Sequence, residues 1–108
     1  MAEQERRTEE RYPPNSDTLC NLVSPVVENF GPAKIKNLSR DGIGLLTSKK
    51  VEIGCLLAIS ISSPSKSFNK VLLVRVAHCS PQTGGGIFLV GGTFQTPLTY
   101  DELKTLIF

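Results

Sequence analysis

Apolar and polar positions alternate in short runs along most of this chain, with turn residues between them. "AKIKNL" (Ala33–Leu38) is the clearest case: Ala33 and Ile35 face one way, Lys34 and Lys36 the other. The same period of two predicts strands over "TLCNLV" (Thr18–Val23), "GIGLLTS" (Gly42–Ser48) and "LLAISIS" (Leu56–Ser62). In the last of these, Leu57, Ile59 and Ile61 share one face and Ala58 and Ser60 the other. "KVLLVRVAHC" (Lys70–Cys79) would span roughly 33 Å at ~3.3 Å per residue, so it is expected to curve or carry a bulge. "IFLVGGTF" (Ile87–Phe94) is a sixth strand, entered through Gly84, Gly85 and Gly86. Phe88 and Phe94 share the parity of Val90 there and are expected in the core.

The pattern changes at the end. "PLTYDELKTLIF" places Thr99 at an N-cap with Glu102 three residues on, a capping box. Tyr100, Leu103, Leu106 and Ile107 then fall on one helical face, which should dock on the strands, because so short a helix is marginal alone. The predicted fold is mainly β: a small six-stranded antiparallel β-barrel with a C-terminal α-helix and a flexible N-terminal arm. "YPPNSD", with Pro13 and Pro14, resists both helix and sheet. The expected division is therefore an arm over residues 1–14 and the barrel with its helix over 15–108.

Composition narrows the function classes. The chain has 108 residues, 40% of them hydrophobic, which suits one domain with a true core. A net charge of +2 is too small for bulk electrostatic binding to long nucleic acid, so any anion site must be local. No apolar run approaches the ~20 residues of a membrane span. "MAEQERRTEERYPPN" lacks the apolar region of a signal peptide, and a cytoplasmic protein is expected. Cys20, Cys55 and Cys79 are odd in number and widely spaced, which argues for small buried hydrophobes rather than a disulfide framework or zinc site. His78, the one histidine, brings too few ligands with Cys79 for a closed metal site, so no metal is expected. Nothing catalytic stands out: there is no Gly-x-Ser-x-Gly, no P-loop and no paired acids on a strand. Gly42-Ile43-Gly44 is only a fragment of a dinucleotide fingerprint.

Candidate binding chemistry sits in two places. In "KIKNLSRDGIGLLTS", two short apolar runs are broken by six residues with no evident hydrophobic purpose, Asn37 to Gly42. Asn37 and Ser39, two apart, project to the same side of an extended chain and offer donors and acceptors. Gly42 can take positive φ and lacks a Cβ, which lets a flat ligand lie close to the backbone. The same residues would serve any turn, and Asn37-Leu38-Ser39 is a formal glycosylation sequon. In "RRTEER", Arg7 and Arg11 stand four apart, where like charges repel on a helix unless an anion sits between them. Arginine forks match guanine O6/N7 and phosphate oxygens. Four acids stand against three arginines up to Arg11, so a solvated arm of mutually neutralising charges is the alternative.

Together, Arg-x-x-x-Arg (Arg7, Arg11) ahead of a small barrel and Asn-x-Ser-x-x-Gly (Asn37, Ser39, Gly42) resemble the PilZ family, bacterial receptor domains for the second messenger cyclic di-GMP. The resemblance runs over nearly the whole chain, through "VEIGCLLAISI", "KVLLVRV", "VGGTF" with Gly91 and Phe94, and "PLTYDEL". It implies a non-enzymatic receptor that needs no cofactor and signals through ordering of its N-terminal arm to an unidentified protein partner. Arg7 and Arg11 look like the pair that grips guanine edges and phosphates. Asn37 occupies the position whose side chain meets a guanine, Ser39 the polar position beside it, and Gly42 gives close backbone approach. Gly91 either lines the pocket or bends the barrel. Arg40 either adds a phosphate contact or is a solvated turn residue. Arg6, beside the pair, leans towards two stacked ligands per chain, the alternative being a surface charge. Two rivals stand beside this reading. One is a PilZ-like adaptor that works without ligand. The other is a small barrel for single-stranded nucleic acid, which would want aromatic platforms and a basic groove.

Overall fold

The structure is a computed structural model, and it describes residues 10–23 and 31–108. Six strands form the predicted barrel: β1 (Leu19–Leu22), β2 (Gly31–Leu38), β3 (Gly42–Thr47), β4 (Leu56–Ser63), β5 (Phe68–Pro81) and β6 (Phe88–Phe94). A 3-10 turn over Pro64–Lys66 joins β4 to β5, and the helix α1 spans Tyr100–Ile107. The strands close in the order β1-β2-β3-β6-β5-β4, every pair antiparallel. Strands adjacent in sequence pair, except β3 with β4; the pairs between non-consecutive strands, β1–β4 and β3–β6, close the barrel.

The alternation read from the sequence is the wall of this barrel. Leu57, Ile59 and Ile61 of β4 point inward with Leu72, Val74 and Val76 of β5 and Ile43 and Leu45 of β3. Ala58 and Ser60, on the other face of β4, are half-buried. Phe94 is buried as expected, and Phe88 packs partly against the core. The capping box of α1 is present in both directions: Glu102 N–H donates to Thr99 Oγ1 at 3.1 Å, and Thr99 N–H donates to Glu102 Oε1 at 2.9 Å. Leu103 and Leu106 are buried, each contributing on the order of 2 kcal/mol, which is what holds so short a helix in place.

Three expectations need correction. Tyr100 does not dock with Leu103 and Leu106 but is 68% exposed, its ring facing the Arg40 guanidinium rather than the core. β5 runs 14 residues, Phe68–Pro81, longer than Lys70–Cys79, because its ladder with β4 extends to Phe68 and its ladder with β6 to Pro81. Of the cysteines only Cys20 is fully buried, and that burial pushes its thiol up to about 12; Cys55 and Cys79 are partly exposed. Among the described residues no helix is long and apolar enough to cross a membrane.

Candidate functional site

Two β-bulges decide which polar side chains reach the outer face. The expected irregularity in β5 falls between Val76 and His78, so Ala77 is the extra residue. A second, absent from the sequence reading, falls in β2 between Ile35 and Asn37, at Lys36. Without them, strict alternation would turn Asn37 inward with Ile35, and His78 inward with Val74 and Val76. Each bulge resets the count, so Leu38 and Cys79 take the inward positions and Asn37 and His78 go outside.

Both land in one row of the sheet. Asn37 pairs with Gly44, Gly44 with Gly91, and Gly91 with His78. One step along, Gly42 pairs with Thr93 and Thr93 with Arg75. The outer face of β3 and β6 is thus floored by Gly42, Gly44 and Gly91, with polar side chains around it.

Arg11 reaches this floor from the chain segment before β1. Tyr12 forms a bridge with Leu38, donating its N–H at 2.8 Å and accepting from Leu38 at 2.9 Å, which ties the root of the arm to β2. Arg11 Nη1 then donates to Asn37 Oδ1 at 2.9 Å. Arg11 and Tyr12, grouped with the arm in the sequence, are therefore seated on the barrel. A Cβ added to Gly42 would lie 2.7 Å from the Gly92 carbonyl oxygen and 3.1 Å from Arg11 Nη2. One added to Gly44 would lie 2.9 Å from Asn37 Oδ1. Gly42 is a strand residue; among the described residues the positive-φ glycines are Gly54, Gly84, Gly85 and Gly86. The expectation of positive φ at Gly42 is corrected: the absence of a Cβ, not an unusual backbone, is what this position needs.

Ser39 and Arg40 have other work. Ser39 is buried, and its Oγ accepts from the N–H groups of Asp41 (3.3 Å) and Gly42 (3.2 Å), an internal staple of the loop. Arg40 Nε donates to the Leu98 carbonyl at 2.9 Å, and its guanidinium lies 4.7 Å from the centre of the Tyr100 ring. With Glu10, Tyr12, Asp41 and Leu103 these residues line a polar cleft of about 270 Å³ between the loop and α1. In that cleft Tyr12 Oη donates to Glu10 Oε1, and the bond and the nearby carboxylate raise the phenol above its usual range.

The structure thus gathers Arg11, Asn37, Gly42 and Gly91 on one face, places Ser39 beneath it and turns Arg40 to the helix. Arg6 and Arg7 lie outside the described residues. His78, a member of the row, was weighed in the sequence only as a metal ligand. A larger groove of about 690 Å³ lies between the Pro13–Pro14 segment and β1–β2, and neither Arg11 nor Asn37 lines it. Among the described residues no three His, Cys, Asp or Glu side chains converge.

The face offers a guanidinium and an amide held over glycine backbone, chemistry that suits a flat, anionic, hydrogen-bonding ligand. Comparison with curated proteins and with solved structures returned no match. The family model for the PilZ domain matches residues 5–108, nearly the whole length. The chain belongs to the PilZ domain family.

Proposed function

We propose that this chain is a non-enzymatic receptor for cyclic di-GMP, the ligand that PilZ domains generally bind, with the glycine-floored face as its site. The observation that carries the reading is Arg11, fixed on Asn37 above Gly42 and Gly44. Its Nη1 is engaged with the amide while the rest of the fork stays over the floor, ready for a guanine edge or a phosphate. Such prior seating lowers the ordering cost of binding. Arg7, four residues earlier, would close on the ligand from the arm, and Arg6 would stack if two molecules are held.

Composition supports signalling through ordering of the arm. Met1 aside, residues 1–11 carry no large apolar side chain, so ligand contacts rather than burial must offset the ~1–2 kcal/mol per residue of backbone ordering. Because Arg11 and Tyr12 are already fastened, ligand-driven ordering concerns the residues before them.

Calorimetric titration with cyclic di-GMP tests the reading. Binding with one or two ligands per chain is expected, and Arg11→Ala and Arg7→Ala should each lose one to two decades of affinity, about 1–3 kcal/mol. No binding by the unaltered chain would overturn the receptor reading; unchanged affinity in both variants would overturn the site. Trypsin cleavage after Arg7 should slow strongly at saturating ligand, and equal rates with and without it would falsify the folding arm.

A further inference from the structure

His78 lies at the far end of the row that begins at Asn37, and its placement has two features that a solvated surface histidine would not need. The first is the bulge at Ala77, which takes His78 off the core face and sets it opposite Gly91. The second is the lean of the ring. A Cβ on Gly91 would collide with His78 Cε1 and lie 2.6 Å from its Nε2 and 2.9 Å from its Nδ1. The imidazole therefore bends over β6, towards the middle of the glycine floor. Gly91 leaves the space that the ring occupies.

The two ends of the row are alike in construction. At one end a bulge at Lys36 delivers Asn37, whose Oδ1 lies over Gly44. At the other, a bulge at Ala77 delivers His78, whose ring lies over Gly91. Gly44 and Gly91 are direct partners across the β3–β6 ladder. From the Cα of Asn37 to that of His78 the row crosses three strand spacings, ~14 Å at about 4.8 Å each. That span admits both halves of a dinucleotide rather than a single base. Among the described residues the His78 ring makes no hydrogen bond and the residue is exposed, so the side of the ring turned away from Gly91 is open to a ligand.

We infer that His78 contacts the ligand directly, as the wall of the site opposite Arg11 and Asn37, and supports the half of the cyclic dinucleotide that those two residues do not hold. The inference rests on the receptor reading above and adds a residue that neither arginine pair nor loop motif contains. A flat, exposed ring seated on a glycine suits stacking under a purine, an interaction that tolerates replacement by another aromatic ring.

Because His78 is the one histidine in the chain, its imidazole C2–H gives a single proton NMR signal. That signal should move on titration with cyclic di-GMP and stop moving at saturation. His78→Ala should weaken binding about tenfold with an unchanged thermal melt, and His78→Phe should restore most of the loss. If the unaltered chain binds, the signal stays put and His78→Ala binds equally well, the wall is refuted while the receptor stands. If the unaltered chain does not bind cyclic di-GMP at all, the receptor reading falls and this wall falls with it.

Discussion

The two connections at opposite ends of the β3–β6 ladder are built on different principles. At the Gly42 end, residues 39–41 are tied on every side. Ser39 N–H donates to the Gly42 carbonyl (2.9 Å), Phe94 N–H to that of Asp41 (2.8 Å), and Leu98 N–H to that of Arg40 (2.8 Å). At the Thr47 end, residues 82–87 form a turn held by Gln82 N–H to Ile87 (2.8 Å) and Gly85 N–H to Gln82 (3.3 Å). Gly84, Gly85 and Gly86 there have φ of 101°, 77° and 76°, and a Cβ on any of them would meet nothing within 4 Å. One end needs glycine because of what surrounds it, the other because of its own backbone. A binding face requires the first kind, since only neighbours that cannot move hold Arg11 and Asn37 at fixed positions.

Substitutions should separate the two ends, and the largest effect belongs to Gly42. Gly42→Val drives a branched side chain against the Gly92 carbonyl, part of the sheet itself, and should cost about 3 kcal/mol in urea unfolding. A wild-type midpoint would show that β3 and β6 can separate at this end and that the crowding does not matter. Lost ligand binding in this variant alone says little, because folding is disturbed as well.

Ser39→Ala removes a buried hydroxyl that two backbone N–H groups share, and should destabilise by about 1–2 kcal/mol. Ligand affinity should fall only as far as the loop loosens. A large loss of affinity with an unchanged melt would mean that Ser39 meets the ligand directly.

Gly44→Ala sharpens the contrast within the site. Its Cβ would crowd the Asn37 side chain and touch Arg11 Nη1 at 3.8 Å, both the ends of side chains that can swing away, so the barrel should keep its stability to within about 1 kcal/mol. The Arg11–Asn37 bond would be displaced, and cyclic di-GMP affinity should fall roughly tenfold. Unchanged affinity would show that the ligand does not depend on this pair. Smallest is Gly85→Ala, which places a side chain at φ 77° in open space and should cost about 1 kcal/mol, with binding untouched.

How much of this was legible along the chain follows from the range of each cause. Strand alternation in β4, the capping box at Thr99 and Glu102, and the turn residues Ser39 to Asp41 depend on residues a few positions apart, and all stand in the structure where the sequence puts them. Within the six-residue phrase from Asn37 to Gly42, which has no evident hydrophobic purpose along the chain, Leu38 is instead a fully buried core residue of β2. Family membership was legible for the same reason, carried by short motifs in order. The sequence also required β5 to deviate somewhere, from its length, without saying where.

What the chain did not reveal depends on partners distant in sequence. Asn37 faces outward because pairing with β3 leaves Lys36 as an extra residue, and His78 because pairing with β6 does the same to Ala77. A shift of one residue exchanges the two faces of a strand, and no local signal distinguishes the outcomes. Tyr100 has the right helical spacing to be buried, yet is exposed, with Arg40 over its ring. Gly42 is required by a carbonyl 50 residues away, at Gly92, not by its own φ. The sequence by itself determined the elements, the loop and the family; only the closed barrel decided that Arg11, Asn37, three glycines and His78 share one face, because closure fixes the cross-strand register and the register fixes which side each residue takes.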